Sequence, residues 1–413
     1  MPGTVFTCIF RVSFTEMFHA LNSISVICCT IAFLAAIWII VPAPADFIWL
    51  FAVAASEWSL WIGIVALVGV AAGILVIASY GSSPLPIVSS VMGVSALLIS
   101  LYPLLSVIRL AKENNAPLSI SHYFATALSR KDSYRTINFS TYTFLEIEGK
   151  KMETDVYLPT KKTSNNGASV IVVHGGSWNG GKRNDFTQWN AMLAEKGFTV
   201  FDIDYSLGPQ PNYLSATGDV KCAVQWVKTN SAKLNIGTKR IALMGRSAGA
   251  HLALLAAYSA GNGRIASSCP NEGENENVSA VISFYAPVNL LWSYDNPANQ
   301  MVINGPLTLA NFLGGSPHES EEIRARYILA TPSTHISNQT PPTLMVHGGR
   351  DQLVRPENMQ FLDEKLTEAN MPHQTVLIPY AQHGFDYNPN GWGSQIAESV
   401  MLNFLKKNTK TNR

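Results

Sequence analysis

The chain has 413 residues, 47% of them hydrophobic and only 14% charged, with a net charge of +1. A charged share so far below the roughly one-quarter of ordinary soluble domains excludes a wholly water-soluble surface, and the near-neutral balance gives no reason to expect a nucleic-acid partner. The length allows more than one folded unit.

The apolar excess lies at the N-terminus. Residues 24–41 are apolar apart from Ser25 and Thr30, and residues 60–80 and 87–108 carry no charge. Each run approaches the roughly 20 residues that cross hydrocarbon as a helix, so region 1–110 is expected to form a bundle of three membrane-spanning helices. Gly69 and Gly73 in the second run have the spacing that lets helices approach closely. Residues 47–55 are too short to span and are placed at the interface, with Trp49, Trp58 and Trp61 near a headgroup boundary. Ala43-Pro44-Ala45 resembles a signal-peptide cleavage site, but the run before it is long and has only Arg11 ahead of it, so the segment is read as retained. Arg109 and Lys112, then Arg130 and Lys131, follow the last run, whereas the connecting segments hold Asp46 and Glu57 and no basic residue. That bias points to a cytoplasmic C-terminal domain. Cys8 precedes the first run, Cys28 and Cys29 lie inside it, and Cys222 and Cys269 are either free thiols or a pair.

Residues 111–133, with Asn114, Asn115 and Pro117, read as a juxtamembrane linker or short amphipathic segment, and the pattern changes from residue 134 onward. A hairpin is expected over 142–148 and 152–158. Buried strands are expected near Val170, Val200, Ile241, Val281 and Leu344, separated by helix-patterned stretches such as 186–196 and 218–229, with a short last strand over 375–379. Strands alternating with helices predict an α/β domain over 134–413 whose mostly parallel sheet is covered on both faces, with its site at the strands' carboxyl ends. The insertion 290–329 is expected to cap that end.

Three strand ends carry chemistry. The run Ser169 to Val173 leads into His174-Gly175-Gly176-Ser177-Trp178. Ile241 to Met244 leads into Gly245-Arg246-Ser247-Ala248-Gly249 and then a helix-forming stretch from His251 to Ala257. Strand, GxSxG and helix in that order are what a nucleophile elbow requires, since the flanking positions of so tight a turn must be Gly. Thr343 to His347 leads into Gly348-Gly349-Arg350-Asp351, and Ala381-Gln382-His383-Gly384-Phe385 places a histidine on a loop after the last strand. The chain order is serine, aspartate, histidine.

On these motifs the region from about Ile137 to the C-terminus resembles the α/β-hydrolase superfamily, close to the hormone-sensitive-lipase-like carboxylesterases and small acyl esterases. Asp204-Tyr205-Ser206-Leu207-Gly208-Pro209 is similar to that group's Tyr-Arg-Leu-Ala-Pro segment, and Asp219 to Trp226 is a further matching stretch. The chain departs from the pattern at Arg246, where the lipase-like branch has Asp or Glu, and at Asn289, where relatives carry Asp. The resemblance implies Ser247 as nucleophile, His383 as its base and Asp351 as the carboxylate that fixes the imidazole. Oxyanion donors are then the amides of Ala248 and of Gly175 or Gly176.

Other polar residues receive quieter readings. His174 and His347 are taken as structural, Asp386 and Asp295 as stand-ins for the acid, Asp219 as a loop-anchoring carboxylate, and Lys182 and Arg183 as a solvated loop edge. Residues 271–277 form a short acidic patch, read as a solvated loop. HExxH or CxxC spacing and phosphate-cradling loops are missing from the sequence, so neither metal nor cofactor is expected. The expected function is hydrolysis of carboxylic esters, small or lipid-like, by a membrane-anchored enzyme that meets membrane lipids. A peptidase or acyltransferase using the same three residues, or a non-catalytic ligand-binding homologue, is the alternative.

Overall fold

The computed structural model describes residues 14–128, 138–159, 167–234, 236–237, 240–270 and 275–409. Cys8, Arg11, Arg130, Lys131 and residues 271–274 of the acidic patch lie outside the described residues. The chain falls into two units divided near Leu105.

The first unit is built on α1 (Phe14–Ala36), α2 (Asp46–Glu57), α3 (Ser59–Tyr80) and most of α4 (Pro84–Glu113). Three stretches are long and apolar enough to cross a membrane: Thr15–Ile39, Ser59–Tyr80 and Pro84–Glu113. The first begins well before Ile24 because Glu16, His19 and Asn22 interrupt the apolar run without breaking the helix, and it ends in a 3₁₀ turn at Ile37–Ile39. Small residues set the packing: a Cβ on Gly69 or Gly93 would lie 2.6 or 2.5 Å from Cys29 Sγ, which is fully buried between them. Ser25 and Ser89 hydroxyls meet at 2.8 Å, while Ile31, Leu67, Ile74 and Leu98 remain exposed.

The second unit begins with the end of α4 and with α5 (Ile120–Leu128), part of the stretch read as a linker. Ser119 N–H donates to Gln395 Oε1 at 2.7 Å, and Tyr123 stacks on Trp392 with ring centroids 4.3 Å apart. The segment is therefore seated on the domain rather than strung free. Eight strands follow, β1 (Phe139–Ile147), β2 (Lys150–Tyr157), β3 (Ser169–Val173), β4 (Thr199–Ile203), β5 (Ile241–Arg246), β6 (Ala280–Phe284), β7 (Thr343–Gly348) and β8 (His373–Ile378). Between and after them come α6 (Thr187–Glu195), α7 (Tyr213–Thr229), α8 (Ser231–Leu234), α9 (Ala248–Tyr258), α10 (Leu290–Asp295), α11 (Gly305–Leu313), α12 (Glu321–Leu329), α13 (Glu357–Glu368) and α14 (Trp392–Asn408).

The sheet order is β1-β2-β4-β3-β5-β6-β7-β8, with β1, β2 and β4 paired antiparallel and all other pairs parallel. The β1–β2 turn uses Glu148 and Gly149, both at positive φ, a twist that suits a two-residue hairpin. β3, β5 and β6 are buried throughout, which explains why they read as continuous apolar runs instead of alternating ones. From β3 the chain moves to β4 on one side and returns to β5 on the other. Such a reversal opens a crevice at the carboxyl ends of β3 and β5, where His174-Gly175-Gly176 and Ser247 leave the sheet.

Candidate active site

Ser247 sits between β5 and α9 with φ +53° and ψ −122°, a conformation costing a non-glycine residue about 1–3 kcal/mol. The elbow's glycines are required by contact rather than by dihedral angle. A Cβ on Gly245 would lie 2.2 Å from Gly249 O, and one on Gly249 would lie 2.2 Å from His174 O. Ser247 N–H donates to Phe284 O at 2.9 Å, so the strained turn is fastened to the end of β6. Its side chain lines a cavity together with Trp178, Leu309 and Leu353, and further wall comes from Ser293 and Ile303 in the 290–329 insertion.

The loop after β3 lies against this elbow. A Cβ on Gly175 would be 3.1 Å from Arg246 O, and Gly176 at φ +120° accepts at its carbonyl from Asn179 and Gly180 N–H at 3.1 and 2.9 Å. Among the described residues, the amides of Gly175, Gly176 and Ala248 donate no hydrogen bond within the chain. Of these, Ala248 follows the serine directly and a Cβ on Gly175 would lie 3.4 Å from Ser247 Cβ, so unspent donors adjoin the serine, as a developing oxyanion needs.

Ser177 and Trp178 continue the loop at positive φ, +54° and +60°. Trp178 is held from two sides, stacking on Phe312 at 4.3 Å between centroids and donating from Nε1 to His251 Nδ1 at 3.2 Å. His251 in turn donates from Nε2 to Ala330 O at 2.7 Å. Burial pushes the His251 imidazole down to about 4 despite that carbonyl, so it is neutral at pH 7 and works as a strut. Its sequence signal was a polar residue four positions after Ser247 in an otherwise apolar helix.

Asp351 and His383 are brought together. His383 Nδ1–H donates to Asp351 Oδ2 at 2.7 Å, leaving Nε2 with a lone pair. Asp351 Oδ1 accepts from Leu353 and Val354 N–H at 2.8 and 2.9 Å. Burial alone would raise the Asp351 carboxyl, but His383 and His347 beside it hold it below the usual carboxylate range. His347 is the residue that sequence reading left as merely structural: its Nε2–H lies 3.0 Å from Val354 O and 3.2 Å from Asp351 Oδ2. The His383 ring packs against Tyr285 at 4.3 Å between centroids. Among the described residues no hydrogen bond joins Ser247 to His383.

The alternative acids have other partners. Asp295 pairs with His318 at 2.7 Å; Asp386 accepts from Arg246 Nε–H at 2.5 Å and from the Tyr285 hydroxyl at 2.6 Å. Asp219 anchors a loop by accepting Ser206 N–H at 2.8 Å. His174 donates from Nδ1 to Gly175 O at 2.7 Å and stacks on Tyr205, and its burial lowers its pKa. Arg183 is not a solvated edge: it is ion-paired with Glu153, Asp155 and Asp204, because three carboxylates on β2 and after β4 converge where the sequence shows them far apart. Cys222 and Cys269 form a disulfide.

A mostly parallel sheet with a serine elbow at its topological reversal defines the α/β-hydrolase class. The family model described as BD-FAE matches residues 154–366, and the chain belongs to that family. Among curated proteins it is 30% identical over 219 residues to a probable carboxylic ester hydrolase of Mycobacterium tuberculosis, LipM, covering 52% of this chain and 49% of the relative. It is 27% identical over 240 residues to esterase LipQ of the same organism, 56% of this chain and 53% of that one. The chain thus spans about half the length of the curated relatives it matches. Among solved structures, a thermophilic esterase of Thermogutta terrifontis aligns with a TM-score of 0.54 at 21% identity, over 65% of this chain and 92% of that one, a likeness of fold. That esterase has also been solved phosphonylated by sarin, with a TM-score of 0.55 at 20% identity over 67% and 97% of the two chains.

Proposed function

We propose that the protein is a membrane-anchored serine hydrolase that cleaves carboxylic esters through an acyl-enzyme on Ser247. The observation that carries this reading is the 2.7 Å bond from His383 to the buried Asp351 carboxylate, beside an elbow whose serine faces a cavity. The curated relatives' names, an ester hydrolase and an esterase, support the ester class.

In the proposed reaction Ser247 Oγ attacks the ester carbonyl while His383 Nε2 takes the hydroxyl proton. The negative charge that forms on the carbonyl oxygen is received by the amides of Ala248 and of Gly175 or Gly176. Collapse breaks the bond to the alcohol oxygen, which leaves with the proton from His383. Water then attacks the acyl-serine by the same steps in reverse, releasing the acid and restoring Ser247.

The three long apolar helices support membrane attachment, and attachment favours lipid-like esters presented at the bilayer. The Cys222–Cys269 bridge supports a hydrolase unit on the oxidising, non-cytoplasmic side, against the placement read from Arg109 and Lys112. The test uses membranes containing the full chain, assayed with esters of graded acyl length. Wild type is expected to turn over at least one ester and to react with a fluorophosphonate, while Ser247→Ala loses about 10⁵- to 10⁶-fold in kcat and all labelling. Equal activity in the two overturns the reading.

A further inference from the structure

Arg246 immediately precedes the nucleophile, and Asp386 follows His383 by three residues. Their side chains meet in the core: Arg246 is 1% exposed and Asp386 1% exposed, with Nε–H donating to Oδ2 at 2.5 Å. The other carboxylate oxygen accepts from the Tyr285 hydroxyl at 2.6 Å, and Tyr285 is the residue whose ring walls the His383 imidazole. Tyr285 stands at φ +43°, just past the end of β6, beside Phe284, whose carbonyl holds Ser247 N–H. Trp189 Nε1–H fixes the Asp386 backbone carbonyl at 2.9 Å. The Arg246 guanidinium lies over the Phe186 ring at 3.9 Å, and its Nη2 makes no hydrogen bond among the described residues.

A buried ion pair is weak evidence for stability, because apolar residues of similar volume often serve as well or better. Fixing registry between two elements is the best attested reason to keep one. Here the two elements are those that carry the proposed nucleophile and its base.

We propose that the Arg246–Asp386 pair, completed by the Tyr285 hydroxyl, is a positioning brace that holds the His383 loop against the nucleophile elbow; this rests on the hydrolase reading above. None of the three supplies a reacting atom; they act through the backbone of the elbow and through the His383 ring that Tyr285 packs against. Arg246 is where the chain departs from the acidic residue of the lipase-like branch, and the carboxylate that answers it comes from the histidine loop.

The test compares wild type with the double variant Arg246→Met/Asp386→Leu, which removes both charges together, and with Arg246→Lys. The double variant is expected to keep its melting temperature but to lose about 100-fold in kcat at nearly unchanged KM, since misplacement by about an ångström has that effect. Fluorophosphonate labelling of Ser247 slows in parallel, and Arg246→Lys recovers to within about tenfold of wild type. A folded double variant with wild-type kcat overturns the brace. Should the double variant fail to fold, Tyr285→Phe, which deletes one hydroxyl, decides instead: a several-fold fall in kcat at constant KM supports the brace and an unchanged kcat overturns it. If wild type shows neither turnover nor labelling, the hydrolase reading has failed. Crystal structures of wild type and Tyr285→Phe then read the brace alone, with the His383 loop displaced from the elbow in support, or superimposable in refutation.

Discussion

At Ser247 the backbone holds an unfavourable dihedral so that the hydroxyl stands clear of the sheet, and the strain is supported by the Phe284 carbonyl and by glycines that let neighbouring backbone close in. The proposed roles of Asp351 and His383 are equally specific. Asp351→Asn should lower kcat by about 10⁴-fold with little change in KM, because an amide no longer holds the imidazole in the tautomer whose Nε2 is free. Initial rates between pH 6 and 9 test this, and a loss of less than tenfold counts against the triad. The depressed Asp351 pKa gives a sign as well. Its contribution to stability is complete above the unfolded value of about 4 and disappears as pH falls through the lower folded value, so it does not limit activity near neutrality. The turn at Ser247 and the meeting of Asp351 with His383 were legible because each residue follows a strand end in a recognisable order. His251, Tyr285 and the Arg246–Asp386 pair were not, since their partners lie 73, 101 and 140 residues away along the chain.

Among the elements, α9 does more than follow Ser247. Through His251 it links the loop holding Trp178 to the Ala330 carbonyl just after α12. Because burial holds the folded imidazole at about 4 while the unfolded one titrates near 6.5, the unfolded state binds more protons between those values. Its stabilisation is therefore fully present above pH 6.5 and is lost as pH falls toward 4, by about 3 kcal/mol. Urea unfolding of wild type and His251→Gln at pH 7 and pH 4.5 should show the variant losing distinctly less stability on acidification; identical losses would contradict the buried, neutral strut. Strands were easy to find where both faces are covered, as in β3 and β5. The helix α1 was underestimated because the apolar-run criterion is blind to a helix that continues through polar residues such as Asn22. The seating of α5 depends on Gln395 and Trp392, far along the chain, and so was invisible locally.

For the molecule as a whole, the sequence announced an apolar N-terminal region and an α/β domain, and both units are present; under the proposed membrane anchoring, the side on which the second unit lies turns on chemistry rather than pattern. The Cys222–Cys269 bridge closes a loop with a sequence separation of 47, worth about 4 kcal/mol by loop-closure entropy. Thiol alkylation in intact cells should find Cys222 and Cys269 protected until a reductant is added, and reduction should lower the melting temperature of the domain. Ready alkylation without reductant would return the domain to the cytoplasmic side. The central claim is covalent, and so is its most direct test: incubate the full-length protein with an activated acyl ester, quench within the first turnover, and map the acylated peptide by mass spectrometry. The acyl mass is expected on the peptide containing Ser247 and absent from Ser247→Ala; turnover with the acyl group on another residue, or with none retained at all, would contradict the account.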